Sequence, residues 1–540
     1  MGIKMLYDWS RKRWREVTLS ALAVFFIVTT SVLIFANRLE APLSHAKFDW
    51  PDETMNFHFA SRISRGLPIL ERDPLIALSL DRVRPRSFNV IDSSLVPGGF
   101  LGLPVLSGGI GFVLRVWGIL LLTPALSVGG IFALISISKR VFGASVGWLT
   151  GVLAFTNPAL IYYTAFAMLP NAAFVSFLLI GLAALLAVDG RKIQPRRDVL
   201  ISVVAGLCVG LALFVRTNEI WWVGPMFVAA LIARRAKLGD RLIAFALLGG
   251  LLVGAAILAL NAQIYGNPLA TGYTRFADSA GGGAASSVLF PFGFHPRLAW
   301  HNVWIYFFRN FWWVSAPAVL GFGLWLSYRK KPARQMVFIA WLALIALWLF
   351  VYYGSWQFDD PLTTRLNTIG VSYVRYWLPI ILGALPFAAL FIWSVGCVRG
   401  ARRYVAIILV ATMAAFSLRA AFFAGPDSLI PVAKRIREYH RAALAVAAAT
   451  PKDAVIVTWR TDKIVFPERR VAAVDLSLGL DSEMVSVISD LDQIPWFLYA
   501  RLSPDEEVKV KDDLATRSLA MDAMGEPRPG ETLYRIRKKL

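Results

Sequence analysis

The sequence predicts an α-helical polytopic membrane protein with about eleven transmembrane helices and a small C-terminal α/β domain. Three observations predict it. Hydrophobic residues make up 57% of the 540 residues and charged ones 17%, with a mean hydropathy of +0.58, so the chain needs lipid as part of its solvent. Apolar runs of spanning length recur as far as residue 425. The formal net charge of +21 is gathered into short clusters between those runs. That is the positive-inside pattern of cytoplasmic loops, not the basic face of a nucleic-acid binder.

The runs lie near 17–36, 117–138, 144–163, 171–188, 198–215, 220–233, 242–263, 310–327, 335–353, 374–396 and 404–424. A span takes roughly 20 apolar residues; the 220–233 run is short, which fits a tilted or protein-buried helix. With the N-terminus inside and the spans alternating, every basic cluster falls on the cytoplasmic side: Lys4 to Arg15, Lys139 and Arg140, Arg191 to Arg197, Arg234 to Arg241, Arg329 to Arg334, and Arg399 to Arg403. The membrane part is then 1–425, with outer loops 37–116, 264–309 and 354–373, and an outer domain follows at 426–540. In that tail, Pro431 to Ala449 reads as an amphipathic helix and AVIVTW (Ala454 to Trp459) as a strand.

Cys208 and Cys397 both sit in apolar runs, which excludes a disulfide framework. No Asn-x-Ser/Thr acceptor occurs, which favours a bacterial plasma (inner) membrane over the endoplasmic reticulum. The first run, Val17 to Ala36, is expected to stay as an uncleaved span, because no small-x-small cleavage site follows it. The stretch SAGGGAASS at 279–287 reads as a flexible linker, with a mobile cover over a site as the alternative.

Polar chemistry is therefore expected on the outer, periplasmic face. The first outer loop carries FDWPDETMNFHFASRISRG. Asp49 is a suitable N-cap, Pro51 suits a first turn and Gly66 a stop, so Trp50 to Arg65 is expected as a helix. Asp52 and Glu53 fall in its first turn, where the helix dipole favours ionised carboxylates. Such a pair either completes the helix start or supplies a proton acceptor. Its place just beyond the first span, with Phe59 and Ile63 expected at the membrane surface, favours the second role.

In PDET (Pro51 to Thr54) the loop resembles the acidic first-loop motif of the GT-C superfamily of lipid-phosphate-sugar glycosyltransferases, such as the protein O-mannosyltransferases and aminoarabinose transferases. TNPALIYYT (Thr156 to Thr164), GLALFVRTNE (Gly210 to Glu219), YGNPLATGY (Tyr265 to Tyr273) and VRYWLP (Val374 to Pro379) resemble further segments of that superfamily, in the same order. The chain departs from the pattern at AMLPNAAF (Ala167 to Phe174), where relatives carry another carboxylate and this chain has Asn171. It departs again at QFDDPLTTRLN, where Asp359 and Asp360 replace a Gly-rich loop.

The resemblance implies an inverting transfer of a sugar from a polyprenyl-phosphate carrier to an acceptor hydroxyl on a glycan, lipid or protein. Asp52 is the expected base, and Glu53 the alternative base or an orienter of sugar hydroxyls. A polyprenyl phosphate leaves as a stabilised anion, so cationic contacts matter more than a general acid. Arg375 with Tyr376, at the head of a span, is the expected phosphate contact. His58, Arg62 and Arg275 are further substrate-binding candidates, and Arg65 and Arg309 weaker ones. Arg216 beside Glu219 reads as a structural ion pair. No HxxxH or HExxH spacing groups His58, His295 or His301 into a metal site, so no cofactor is expected; a divalent metal where those histidines converge on Asp52 or Glu53 is the alternative. From other classes, a polytopic transporter or flippase of a lipid-linked or anionic substrate, and a non-catalytic scaffold, remain as rival readings.

Overall fold

The computed structural model describes residues 2–188, 195–274, 292–356, 368–396 and 402–539. Arg275, the 279–287 stretch, Asp359, Asp360 and Cys397 lie outside the described residues. The described residues are mostly helical, a helical membrane architecture with a small C-terminal sheet. Among the described residues, seven helices are long and apolar enough to cross a membrane. Counting each bent pair as one span makes nine: Arg13–Thr30 with Val32–Glu40 at 42°, and Ala144–Phe155 with Pro158–Ala165 at 48°. The two remaining apolar runs form the shorter helices Ile220–Ala233 and Trp312–Ser327, of 14 and 16 residues, which fall below the length that crosses the hydrocarbon unaided.

The second bend is written in the sequence. Pro158 cannot donate to the preceding turn, so the helix restarts there. Asn157 caps the restart, its side-chain oxygen accepting from Leu160 N–H at 3.0 Å. Packing between spans uses small residues, because lipid supplies no hydrophobic drive between helices. A Cβ on Gly206 would lie 1.8 Å from the Ala246 carbonyl oxygen, and one on Gly249 would lie 2.4 Å from that of Val203, so helices Pro195–Val215 and Arg235–Tyr265 touch backbone to backbone. Gly321 meets the Phe387 carbonyl in the same way, at 1.9 Å.

The chain divides into two compact units. The first comprises Met1–Val32, Leu120–Leu258 and Gly282–Pro431; the second comprises Leu33–Ile119, Ala259–Gly281 and Val432–Leu540. The second unit holds two sheets. One has three antiparallel strands in the order β1 (Glu71–Arg72), β3 (Ser94–Pro97), β2 (Phe88–Ile91). The other has five, in the order β5 (Arg470–Ala473), β4 (Val455–Thr458), β6 (Trp496–Ala500), β8 (Glu531–Lys538), β7 (Leu519–Arg528). Here β4 runs parallel to β5 and β6, and β8 is antiparallel to β6 and β7. The expected strand at 454–459 is β4, and the expected amphipathic helix is Leu429–Ala449.

One hydrophobic core joins the first outer loop to the tail within this unit. Met55, Phe59, Phe88 and Leu95 pack with Tyr439, Val446, Ile456, Phe466 and Tyr499. Phe59 is fully buried there, 5.4 Å from the Phe88 ring. This corrects its expected place at the membrane surface. The helix buries Met55, Phe57, Phe59 and Ala60, on more than one face, so it is a core element and not an interfacial one.

Candidate functional site

The acidic helix runs Pro51–Ser64, with Pro51 in its first turn and Arg65 as its C-cap. Its N-cap is Trp50, whose side chain makes no capping bond, which corrects the expectation for Asp49. Asp49 is drawn away by stronger partners. Arg435 donates to both its oxygens (Nε at 3.0 Å and Nη2 at 2.6 Å), the Tyr439 hydroxyl donates at 3.0 Å, and Lys463 Nζ lies 3.6 Å off. Burial pushes the Asp49 carboxyl up, but Lys463 and Arg435 together outweigh it and hold the group well below the ordinary carboxylate range.

The two carboxylates of the pair meet different surroundings. Glu53 is 2% exposed. Asp52 is half-buried and accepts from the Ser87 hydroxyl at 2.6 Å. Of the pair, Asp52 is therefore the carboxylate that a ligand reaches more readily. One end of the helix also sits beside the YGNPLATGY loop. A Cβ on Gly99 would meet Met55 Cε at 3.1 Å and the Tyr273 ring at 3.8 Å. Tyr265 donates its hydroxyl to the Pro97 carbonyl at 2.9 Å, and Asn89 donates to the Gly272 carbonyl at 2.7 Å.

His58 and Arg62, four residues apart on one helix face, both turn to Glu71: His58 Nε2 lies 2.6 Å from Oε2, and Arg62 Nη1 lies 3.0 Å from Oε1. Burial raises the Glu71 carboxyl, but these two partners outweigh it and hold the group below the usual carboxylate range. Arg65 points back to its own helix, donating to the Ser61 carbonyl at 3.0 Å. The sequence reading missed Glu71, Ser87, Arg435 and Lys463, which come from distant parts of the chain and share no local spacing with PDET.

In the first unit, three of the singled-out segments meet. Tyr163 donates to the carbonyls of Ile369 (2.8 Å) and Val371 (2.9 Å), and Asn171 Nδ2 lies 3.4 Å from the Arg375 carbonyl. Arg375 is 7% exposed and Tyr376 half-buried. Tyr376 stacks on Tyr353 at 4.3 Å and 5°, and the guanidinium carbons of Arg375 and Arg216 lie 5.2 and 4.9 Å from its ring centre. Arg216 is ion-paired with Glu219 at 2.8 Å, and the Tyr353 hydroxyl bonds to both. Arg309 is exposed at the end of the Trp304–Arg309 segment. Among the described residues, no three His, Cys, Asp or Glu side chains group closely enough to hold a metal ion.

This arrangement of helices and sheets has solved counterparts. ArnT from Cupriavidus metallidurans bound to undecaprenyl phosphate superposes with a TM-score of 0.51, over 97% of this chain and 98% of that one, at 11% identity. The chain has the GT-C fold. A second GT-C protein, the archaeal oligosaccharyltransferase AglB from Archaeoglobus fulgidus in complex with an inhibitory peptide and a dolichol-phosphate, matches at a TM-score of 0.50 and 12% identity, over 94% of this chain and 72% of that one. The mycobacterial arabinofuranosyltransferase AftD matches at 0.50 and 15% identity, over 97% of this chain and 41% of the longer AftD chain. A scan against protein-family models gives no match, and a search of curated proteins gives none either. The GT-C likeness is one of backbone, at identities that leave every site residue to be argued from its own surroundings.

Proposed function

We propose that the protein is an inverting glycosyltransferase that moves a sugar from a polyprenyl-phosphate carrier to an acceptor hydroxyl at the outer face of a bacterial inner membrane. The observation that carries this reading is the whole-length GT-C fold, with a half-buried, hydrogen-bonded aspartate in the first turn of the first-loop helix. The undecaprenyl phosphate on ArnT and the dolichol-phosphate on AglB support a lipid-phosphate donor. The peptide on AglB supports a protein acceptor, with glycan and lipid acceptors still to be compared.

Asp52 acts as the base. Its carboxylate takes the proton of the acceptor hydroxyl as that oxygen attacks the anomeric carbon; the bond from that carbon to phosphate oxygen breaks, and the polyprenyl phosphate leaves with the electron pair. Attack from the face opposite the leaving phosphate inverts the anomeric centre. Ser87, donating to Oδ1, fixes the orientation of the carboxylate. Arg375 and Tyr376 bind the phosphate, where a guanidinium offers paired donors to the developing anion. The positive-inside count supports a cytoplasmic N-terminus and a periplasmic tail.

The test is transfer from a panel of radiolabelled undecaprenyl-phosphate sugars by the purified protein in liposomes, with the product's anomeric configuration read by NMR. Transfer with inversion is expected. Retention of configuration sinks the single-displacement mechanism, and movement of intact lipid-linked sugar across the bilayer without transfer favours a flippase.

A further inference from the structure

We propose that Asp462 and Lys463, neighbours on one short helix of the C-terminal tail, are positioning residues for the Asp52 carboxylate. The inference rests on Asp52 being the base and extends that role to the tail. The helix is Asp462–Val465; Asp462 is buried, 1% exposed, and the Lys463 side chain is 13% exposed.

Each residue holds one side of the segment around Asp52. Asp462 accepts from the Arg86 side chain (Nε at 2.8 Å, Nη2 at 2.7 Å) and from the Arg86 backbone N–H at 3.0 Å. The next residue, Ser87, stands at φ +62°, in the left-handed region, and from there its hydroxyl reaches Asp52 Oδ1. Lys463 pairs with the Asp49 carboxylate and also donates to the Asp49 backbone carbonyl, directly ahead of the acidic helix.

A staple between loop and tail needs only side-chain pairs. Here Asp462 and Lys463 also reach main-chain groups, the N–H beside Ser87 and the carbonyl that leads into the Asp52 turn. Serine in the left-handed region is unfavourable by itself, so its backbone must be held from outside. Asp462 supplies that hold. The hydroxyl then fixes one oxygen of Asp52 and so the direction of the other. A displacement of about 1 Å at a reacting group costs about 100-fold in rate, which is the size of effect that such a hold prevents.

The experiment uses the full-length protein in liposomes with the radiolabelled undecaprenyl-phosphate sugar that it turns over, comparing Asp462→Ala, Asp462→Asn, Lys463→Met, Lys463→Arg, Ser87→Ala and Asp52→Asn. Asp462→Ala and Lys463→Met are expected to lower kcat about 10- to 100-fold with donor KM unchanged. Asp462→Asn, which keeps an acceptor for the Arg86 N–H, and Lys463→Arg are expected to recover most of the loss. Ser87→Ala with Asp462→Ala is expected to be no worse than the worse single variant, because both act through one hydroxyl. Ser87→Ala removes a single oxygen and keeps the test open if Asp462→Ala does not fold. Wild-type kcat in folded Asp462→Ala and Ser87→Ala, or losses that simply add, overturns the proposal. If Asp52→Asn is inactive while the tail variants keep wild-type kcat, this inference alone falls; if Asp52→Asn is fully active, the base assignment falls and takes the inference with it.

Discussion

Replacing Asp49 by Asn should destabilise the second unit. Asp49 is 14% exposed in its side chain and faces two cations, Arg435 (17%) and Lys463 (13%), with Tyr439 as a third donor. Removing its charge takes the carboxylate from both cations, a loss of about 3–5 kcal/mol for a broken buried pair. Asn keeps one carbonyl oxygen for Tyr439 or Arg435, which places the expected loss at the lower end of that range. Adding Lys463→Met removes one of those cations and should return part of it, a coupling of about 0.5–3 kcal/mol. The assay is urea denaturation in detergent, read by proteolysis within the tail. Because the folded Asp49 value lies below its ordinary one, its contribution is complete above about pH 4 and is lost as pH falls through the folded value. The gap between wild type and Asp49→Asn should therefore stay constant from about pH 5 to 8 and close only as pH falls below about 4. Equal stability at pH 7, or a gap that widens in acid, refutes the reasoning.

Three further outcomes are expected. Burial, with Lys47 adding to it, pushes the His440 imidazole down to about 4. The native state therefore resists the proton that the unfolded chain takes up, and stability should fall as pH drops from about 6.5 towards 4. His440→Gln should flatten that limb in a denaturation series, and an unchanged limb assigns it elsewhere. Gly272→Ala would put a Cβ 2.2 Å from the Gly98 carbonyl carbon and 2.5 Å from Gly99 N. Backbone cannot yield cheaply there, so a loss of about 1–3 kcal/mol is expected, measured as faster proteolysis of the 265–274 loop. Tyr163→Phe removes the donor that serves the carbonyls of Ile369 and Val371. It should lower stability by about 1–3 kcal/mol and, if Arg375 binds phosphate, raise donor KM; an unchanged thermal midpoint contradicts the first part.

The helices were legible because hydrophobic length and basic punctuation are local signals. Each of the eleven apolar runs falls on helical chain, two of them on bent helix pairs, though Ile220–Ala233 and Trp312–Ser327 are shorter than a span. The run 144–163 was read as one span, and the break at Asn157 and Pro158 was missed, although a cap and a missing N–H are local signals. The Asp49 cap was misjudged for the opposite reason. Local propensity favours an N-cap, but Arg435, Tyr439 and Lys463, about four hundred positions away, offer a charged hydrogen-bonded site that outweighs one backbone bond. Phe59 was misplaced likewise, since nothing in FHFASRI shows that the tail's β4 and β6 core covers it. Long-range partners such as Ser87, Asp462 and Glu71 leave no mark on the spacing around PDET.

The central claim is that Asp52 is the base of a lipid-phosphate-dependent sugar transfer. Single-turnover transfer from the accepted undecaprenyl-phosphate sugar, compared between wild type, Asp52→Asn and Glu53→Gln at matched folding, tests it most directly. The expected result is a loss of about 10²- to 10⁴-fold for Asp52→Asn, the range of a positioned general base, with a much smaller loss for Glu53→Gln. A wild-type rate for folded Asp52→Asn contradicts the claim.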